Sequence, residues 1–298
     1  MHDLLIVILN YNTRALLHDC LASLNVQEGV DFITCVVDNA STDDSAALVS
    51  DEFPEVDLIP SKTNDGYPAG NNLGLRAHGF PSMGEARYAM LLNPDTVVPP
   101  GALRAMVDYA DQHTDIGILG PKLVLPDGTL DKACRRGFPT PAVSLYQLTG
   151  LSKVFAKSPR FGRYNMTFLD ENSPADVDAV VGACMMLRRE LISAIGLLDE
   201  RFFMYGEDID WCLRAKQCRV SGQTNPYRVF YLPSVTIHHV KRAASRHSSR
   251  AKYEFTRAMW LFYSKHYRAT SNSFVDWCVR TGLSFRGGAA LSKEIRSA

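Results

Sequence analysis

The sequence lacks the features that mark several protein classes. It has no run of about 18 apolar residues, so it predicts no transmembrane helix. The apolar stretch at residues 4–9 is too short for the core of a secretory signal and follows an acidic residue. The seven cysteines include no CxxC pair, which argues against a disulfide framework or a structural zinc site. These absences predict a cytoplasmic protein.

An excess of charge of one sign is also missing. The 32 Lys and Arg residues balance the 32 Asp and Glu residues, so bulk charge gives no reason to expect a nucleic-acid partner. Residues 64–74, "NDGYPAGNNLG", are rich in glycine and asparagine but form neither a Walker loop nor GxGxxG. Their glycines, Gly66 and Gly70 among them, would still allow the backbone to approach a ligand closely.

What the sequence does contain is a regular alternation of strand and helix patterns up to about residue 123. Short strand-like runs at 4–9, 32–38, 56–61, 87–93 and 116–123 alternate with amphipathic segments, and the most apolar of them are typical of buried strands. Short connections between these segments predict an α/β fold with a mostly parallel sheet and helices on both faces. Ligands of such sheets bind at the carboxyl ends of the strands.

The pattern after residue 123 is less regular. Asp127-Gly128 predicts a hairpin, and residues 177–189 predict a strand. "YRVFYLP" and "VTIHHV" predict two further strands, and a long helix is expected over residues 250–267.

Polar side chains stand where the predicted strands end. Asn10 and Asp38 follow the first two strands. Pro94 restricts Asn93 to extended geometry, which places Asp95 at the tip of the fourth strand. A carboxylate there suits a divalent cation, which prefers oxygen ligands and often binds substrate phosphates. The alternative explanation is that these acids only stabilise turns.

Two adjacent histidines, His238 and His239, lie in the last predicted strand. Successive strand residues point to opposite faces, so one imidazole can face a metal or a phosphate while the other faces away. A purely structural role is the alternative for a histidine in this position.

The stretch "FMYGEDIDWCLR", residues 203–214, concentrates three acids within four residues. Acids in the first turn of a helix are favoured by the helix dipole, which could explain one of them. Glu207 and Asp210 are three residues apart and share a helix face, whereas Asp208 points about 100° away. The spacing indicates a structural pair and one acid, Asp208, that is aimed elsewhere.

In type, order and spacing these motifs resemble the family 2 inverting glycosyltransferases of GT-A fold, especially the rhamnosyltransferase-like members. The resemblance rests on "NYN", "VDNASTD", "GYPAGNN", "LLNPDT", "LDERFFMYGEDIDWCLR" and "IHH", and it covers about residues 4–267. It implies a Rossmann-like, mostly parallel sheet flanked by helices, with a C-terminal helical extension. It also implies an enzyme that transfers a sugar from a nucleotide-sugar donor.

The resemblance implies a role for each site residue. Asp208 would be the general base, and Glu207 shares its acidic motif. Asp95 and His238 would hold Mg²⁺ or Mn²⁺ against the donor diphosphate. The residues expected to contact the donor are Asn10, Asp38, Asn72, Asn93 and Asp95. Within this set Asp38 would bind the pyrimidine base, and Asn93 stands where the family's metal-binding motif has its first aspartate.

Single-displacement sugar transfer needs a base for the acceptor hydroxyl and a cation for the leaving diphosphate, and the sequence offers both. The resemblance favours dTDP-L-rhamnose as donor and a glycan or polyprenyl-diphosphate-linked glycan as acceptor, in cell-surface polysaccharide synthesis. A UDP-sugar-dependent transferase of the same family is an alternative. A sugar-phosphate nucleotidyltransferase and a non-catalytic binding domain are others. The sequence departs from the family pattern at 216–233 and 240–250, two segments that would border the acceptor.

The expected organisation is a catalytic domain, 1–240, and a basic and aromatic helical extension, 241–298. The domain would consist of a nucleotide-sugar half, 1–123, and an acceptor half, 124–240. The helix at 250–267 mixes basic residues with five large apolar ones, Phe255, Met259, Trp260, Phe262 and Tyr263. It either packs on the catalytic core or lies on anionic lipid at the cytoplasmic face of the inner membrane. The sequence leaves the oligomeric state open.

Overall fold

A computed structural model describes residues 1–219, 225–240 and 249–297. The elements of the first part of the chain are β1 (His2–Asn10), α1 (Arg14–Leu24), β2 (Phe32–Asp38), α2 (Ser45–Glu52), β3 (Asp57–Pro60), α3 (Tyr67–Ala77), β4 (Ala86–Leu92), β5 (Thr96–Val97), α4 (Ala102–Gln112) and β6 (Ile116–Val124). The elements of the second part are α5 (Pro141–Leu148), α6 (Leu151–Val154), β7 (Ala175–Asp176), β8 (Cys184–Arg188), α7 (Arg189–Ile195), α8 (Glu207–Gln217), β9 (Arg228–His239), α9 (Ser249–His266) and α10 (Ser273–Ser297).

The described strands form a single mixed sheet in the order β3-β2-β1-β4-β8-β6-β9-β5, with β7 on β9. The pairs among β3, β2, β1 and β4 are parallel, as is the pair of β6 with β9. β8 lies antiparallel between β4 and β6. The mostly parallel sheet predicted from the sequence is therefore confirmed, and β1 is central, with residues 4–8 fully buried.

Two glycines of the segment 64–74 serve packing between α3 and the sheet. A Cβ on Gly70 would collide with Leu9, and one on Gly74 would lie 2.7 Å from Val7 Cγ1. At Gly66 the backbone has φ of 91°, and a Cβ would collide with the carbonyl of Phe203. The close approach that Gly66 and Gly70 allow in this structure is to protein atoms, those of Phe203 and Leu9.

Two strand predictions need correction. The sheet contains residues 184–188 of the strand expected at 177–189, since the segment before it pairs instead with the chain near Arg136, through Ala179. "YRVFYLP" and "VTIHHV" form one strand, β9, rather than two. Pro233 does not end this strand because it falls at a register shift in the ladder with β6, where no backbone donor is required.

Of the C-terminal helices, α9 packs on the main hydrophobic core and α10 packs on α9. Phe262 of α9 joins the main hydrophobic core. Trp260 and Tyr263 form a second apolar cluster with side chains of α10. The aromatic residues that suggested a lipid-facing helix at 250–267 are therefore mostly buried, and Phe255 is the large exposed one. The packed alternative is the one observed.

Parts of the expected extension lie outside the described residues. These are residues 241–248, which carry Lys241, Arg242 and Arg246, and residue 298. Residues 220–224, in the second half of the expected catalytic domain, also lie outside the described part of the chain. None of the described helices combines the length and the apolar character that crossing a bilayer requires.

Candidate active site

The carboxyl ends of β1 and β2 are joined by side chains. Asn10 is buried, and its Nδ2 donates to Asp38 Oδ1 at 3.0 Å and to Ser41 Oγ at 3.1 Å. Asn10 Oδ1 accepts from Thr13 Oγ1 at 2.6 Å. Asp38 Oδ2 accepts from the backbone N–H of Ser41 at 3.0 Å. Asn10 thus uses one amide hydrogen to hold Asp38 and the other to hold Ser41, while each Asp38 oxygen keeps a free acceptor position.

A chain of hydrogen bonds leads from β2 to the start of α3. Asn39 Nδ2 donates to Asn64 Oδ1 at 2.9 Å, and the same oxygen accepts from the N–H of Gly66 at 3.1 Å. Tyr67 begins α3, and its hydroxyl donates to the carbonyl of Gly182 at 2.8 Å. Burial and the nearby carboxylates of the site raise the pKa of Tyr67 well above its usual value, so this hydroxyl stays neutral.

Asn72 does not belong to this rim. It is fully buried in α3, where its Nδ2 donates to the carbonyl of Leu198 at 2.9 Å and to Glu200 Oε1 at 2.8 Å. Its Oδ1 accepts from the N–H of Leu198 at 3.1 Å. The expectation that Asn72 contacts the donor is corrected, because these bonds fix the segment 198–200 against α3.

The turn after β4 presents Asp95 at the edge of the sheet. Asn93 donates its N–H to the carbonyl of Ala183 at 2.9 Å, and its own carbonyl accepts from Thr96 N at 3.2 Å. The N–H of Val240 donates to the carbonyl of Asp95 at 2.8 Å, which ties the end of β9 to this turn. The Asp95 side chain is 20% exposed, so its carboxylate is accessible at the strand tip.

His239, rather than His238, lies beside Asp95. Its Nε2 is 3.4 Å from Asp95 Oδ1, and its Nδ1 is 2.9 Å from Asp131 Oδ2. The side chain of His238 is exposed, because adjacent residues of β9 point to opposite faces of the sheet. The expected pairing of His238 with Asp95 is corrected accordingly. Burial acts to lower the pKa of His239, but hydrogen bonds to Asp131 and Asp95 outweigh it and raise that pKa.

The donor set here fits a divalent cation only in company with other oxygen ligands. Among residues 1–219, 225–240 and 249–297, no group of three His, Cys, Asp or Glu side chains is placed to hold a metal ion. Asp95 and His239 supply one carboxylate and one imidazole. Mg²⁺ and Mn²⁺ accept such ligands and commonly complete their shells with water and substrate phosphates. Asp131 holds the second imidazole nitrogen, as carboxylates do behind metal-ligating histidines.

The first turn of α8 presents Asp208 toward the segment before β8. Asp208 Oδ2 accepts from Arg136 Nη2 at 2.5 Å and from the N–H of Gly182 at 3.2 Å. The Asp208 and Arg136 side chains are 7% and 11% exposed. Asp208 Oδ1 accepts from the N–H of Ile209 at 2.8 Å. The helix geometry therefore aims Asp208 away from Asp210, as the sequence spacing predicts.

Glu207 belongs with Asp208 rather than with Asp210. Its Oε2 is buried and has no hydrogen-bond partner in the described part of the chain. Burial and then the charge of Asp208 raise the pKa of Glu207 to about 8, so it is largely protonated at neutral pH. The expected structural pairing of Glu207 with Asp210 is wrong.

Asp210 connects α8 to α9. It is fully buried and lies 2.9 Å from Arg214 Nε, 2.7 Å from Lys265 Nζ and 2.7 Å from His266 Nε2. Burial acts to raise the pKa of Asp210, but these partners outweigh it and lower the pKa. A carboxylate that is fully buried and surrounded by three basic side chains is a structural anchor, because no acceptor can reach it.

We call the ends of β1, β2 and β4 the strand rim and the first turn of α8 the helix rim. Both contact the segment Gly182–Ala183. Gly182 donates to Asp208, and Ala183 accepts from Asn93 next to Asp95. The negative charges of Glu207, Asp208 and Asp95 each contribute to the raised pKa of Tyr67. Sequence reasoning missed Arg136, Tyr67 and Asp131. None of the three gave a local signal, because each one's partner in the site lies more than 70 residues away along the chain.

A mostly parallel sheet with an acid at a central strand tip and acids at a facing helix start is the architecture of GT-A glycosyltransferases. The crystal structure of Staphylococcus aureus TarS 1-349 matches with a TM-score of 0.57 and 16% identity, covering 95% of this chain and 72% of that one. GalNAc-T7 with UDP, GalNAc and Mn²⁺ matches with a TM-score of 0.59 and 15% identity, covering 95% and 55%. These likenesses establish the GT-A fold.

The sequence profile "Glycosyl transferase family 2" matches residues 5–196, and the chain belongs to this family. It is 25% identical over 302 residues to the N-acetylglucosaminyl-diphospho-decaprenol L-rhamnosyltransferase of Mycobacterium tuberculosis, covering 99% of this chain and 95% of that protein. It is 29% identical over 220 residues to the low-salt glycan biosynthesis hexosyltransferase Agl10 of Haloferax volcanii, covering 73% and 62%. The predicted family and enzyme class are confirmed.

Proposed function

We propose that this glycosyltransferase moves L-rhamnose from dTDP-L-rhamnose to an N-acetylglucosamine that a diphosphate links to a polyprenol, in cell-surface glycan synthesis. The observation that carries the proposal is the similarity to the mycobacterial L-rhamnosyltransferase, which extends over 99% of this chain. It includes the second half of the chain, where an acceptor would bind. UDP-hexoses are the alternative donors.

The donor nucleotide would bind at the ends of β1 and β2. Each oxygen of Asp38 accepts one hydrogen bond within the protein and can accept another. The imide N–H of a pyrimidine supplies such a donor, and uracil and thymine share it. Asp38 therefore supports a pyrimidine nucleotide without separating dTDP from UDP, and Asn10 acts by holding Asp38 in place.

The diphosphate would lie at the tip of β4, near Asp95 and His239. These two residues would hold Mg²⁺ or Mn²⁺, and Asp131 would orient the imidazole. When bound, the cation neutralises charge that develops on the leaving diphosphate. Asn93 lies beside this site through its backbone, which fixes the turn that carries Asp95.

Asp208 is our proposed general base. Glu207 is largely protonated at neutral pH, so it suits hydrogen-bond donation better than proton acceptance. Asp208 Oδ2 is occupied by Arg136 and Gly182, whereas Oδ1 accepts a single backbone N–H and keeps a free position. The acceptor hydroxyl would give its proton to Oδ1 as its oxygen bonds to the anomeric carbon and the bond to the diphosphate breaks. One displacement inverts the configuration.

A donor screen tests this proposal. The melting temperature of the protein is measured with dTDP, dTDP-rhamnose, UDP and UDP-hexoses, each with Mg²⁺ and again with chelator, followed by transfer assays with a lipid-linked N-acetylglucosamine. We expect dTDP-rhamnose with metal to bind about tenfold tighter than UDP-sugars, a difference of about 1.4 kcal/mol. If only a UDP-sugar raises the melting temperature, the donor is a UDP-sugar and not dTDP-rhamnose. If nucleotides bind with the same affinity in Mg²⁺ and in chelator, the proposed divalent cation takes no part in donor binding.

A further inference from the structure

Helix α10 carries a row of exposed aromatic side chains before its kink. Phe274, Trp277 and Phe285 are 71%, 62% and 92% exposed. At about 100° per residue, the three fall within a sector of about 80°. Leu283 lies on the opposite side of the same helix and is buried in the cluster shared with α9. The aromatic row therefore faces directly away from the protein body.

Exposed cationic side chains occur on the same helix. Arg286 lies about 100° from Phe285 around the helix axis, and Arg296 lines a groove together with Trp277 and Phe285. Arg286, Lys293 and Arg296 are exposed, and no acid pairs with them within the part of the chain that the structure describes. The two acids of α10 are already engaged, Asp276 with Arg280 and Glu294 with Arg257. The free charge of this surface is thus cationic.

The kink at Gly288 folds the second half of α10 back beside the first. Ser292 Oγ donates to the carbonyl of Ser284 at 3.2 Å across the fold. A groove of about 700 Å³ lies along this helix, and its wall includes Trp277, Arg280, Phe285 and Arg296. Aromatic and guanidinium groups so arranged suit a phosphate group with an apolar chain beside it.

We propose that Phe274, Trp277 and Phe285, together with the cations of α10, dock the protein on the surface of an anionic phospholipid bilayer. Stable attachment without a spanning helix takes two signals, an apolar insertion and a basic patch, and this surface supplies both. Charge complementarity favours anionic lipid over a second copy of the chain, which would bring like charges together. Docking rests on the position of α10 and not on the proposed donor or acceptor.

The docked helix connects to α8, which carries Asp208, through α9. α10 packs on α9, and α9 binds α8 through Lys265, His266 and Asp210. Asp208 lies two residues before Asp210. A bilayer contact at α10 would therefore hold the active site at a fixed height above the lipid surface, where a polyprenyl-linked acceptor is found.

Tryptophan fluorescence of the full chain offers a specific test. Of the three tryptophans, Trp211 and Trp260 are buried and Trp277 is exposed. Vesicles of phosphatidylcholine with phosphatidylglycerol should shift the emission to the blue and carry the protein to the top of a flotation gradient. Phosphatidylcholine alone should bind about tenfold less, and added salt should weaken binding to the anionic vesicles.

Surface variants locate the contact. The triple variant Phe274→Ser, Trp277→Ser and Phe285→Ser should keep its melting temperature and lose at least about tenfold in vesicle partition. The matched control is Leu145→Ser, Leu148→Ser and Val154→Ser, which removes exposed apolar side chains from α5 and α6 and should bind like the parent. Absence of vesicle binding by the parent, or equal binding by the α10 variant, overturns the proposal. So does a parent that dimerises through α10 and ignores vesicles.

Discussion

The two rims of the site contrast in how their acids are held. On the strand rim, Asp38 and Asp95 are fixed by short side chains and backbone groups at the ends of β2 and β4. On the helix rim, Asp208 is fixed by Arg136, 72 residues away, and Asp210 by Lys265 and His266 of α9. The strand rim is built from the sheet itself, whereas the helix rim depends on ion pairs between distant segments.

This difference teaches where the site is robust. Residues at strand ends stay in place as long as the sheet is formed, and the sheet has a fully buried central strand. The helix rim can be weakened by a single substitution that leaves a buried charge without its partner. Perturbing each rim in turn therefore tests whether the two are separable.

The largest effect should come from Asp210→Ala. Removing this carboxylate leaves Arg214, Lys265 and His266 close together without an acid, which should lower the free energy of unfolding by about 3–5 kcal/mol. Denaturant unfolding measures the loss, and the exposed Asp51→Ala is the control. Nucleotide affinity below the melting temperature should hardly change. A large loss of nucleotide affinity in the folded variant would show that the rims are not separable.

The stability difference between the parent and Asp210→Ala should depend on pH. The pKa of Asp210 is lowered in the folded state, so its contribution is complete above the unfolded pKa, about 3.9, and is lost as pH falls through the folded value. The parent should therefore lose its advantage over Asp210→Ala in acid.

Asp208→Asn should remove at least about a hundredfold in transfer rate, because a general base supplies about that factor. Nucleotide affinity should stay near that of the parent, as the strand rim is untouched. Glu207→Gln is the matched control, since a protonated glutamic acid and a glutamine resemble each other. If Asp208→Asn turns over normally while Glu207→Gln is inactive, the base has been assigned to the wrong acid.

Variants of His238 and His239 compare the two faces of β9 for their effect on nucleotide binding. His239→Ala should weaken nucleotide diphosphate binding in Mn²⁺ or Mg²⁺ by about tenfold, in the range found when metal-site residues are lost. Asp95→Ala should weaken it further, and exposed His238→Ala should leave it unchanged. Calorimetric titration with and without chelator measures each. Equal losses from the two histidine variants would contradict the geometry described here.

The smallest effect should be a gain in stability. The pKa of Glu207 is about 8 in the folded state against about 4.5 unfolded, so the folded protein binds more protons between these values. Stability contributed by this group is therefore highest in acid and falls as pH rises toward 8. Glu207→Gln should relieve this and stabilise the protein by about 1 kcal/mol or more at pH 8, with little difference at pH 4.5. Unfolding at the two pH values checks it.

Local pattern predicted most of the fold and half of the site. Buried apolar runs located β1, β2, β4 and β6, and the prediction of polar side chains at their ends placed Asp38 and Asp95 correctly at the sheet edge. The choice between His238 and His239 failed because alternation says that the two differ but not which one faces inward. Asn72 was misjudged because its partners near Leu198 lie 126 residues away.

The helix rim could not be read in the same way. The position of Asp208 on its helix was predictable from the 3.6-residue period, but Arg136 as its partner was not, since ion pairs across 72 residues leave no local trace. The distribution of aromatic residues in α9 was equally ambiguous. A helix with apolar residues on several sides has the same sequence pattern whether it faces lipid or packs against a second helix.

Gly182 and Ala183 join the two rims through main-chain atoms alone. The N–H of Gly182 reaches Asp208, the carbonyl of Ala183 reaches the turn before Asp95, and a Cβ on Gly182 would lie 2.9 Å from the Tyr67 hydroxyl. Backbone atoms, which substitution of side chains does not remove, therefore set the spacing between Asp208 and the turn that carries Asp95. Side chains around the proposed sugar and acceptor sites could then change by mutation while the distance between these two groups stays constant. Under the proposed mechanism, a new substrate specificity could arise without loss of catalysis.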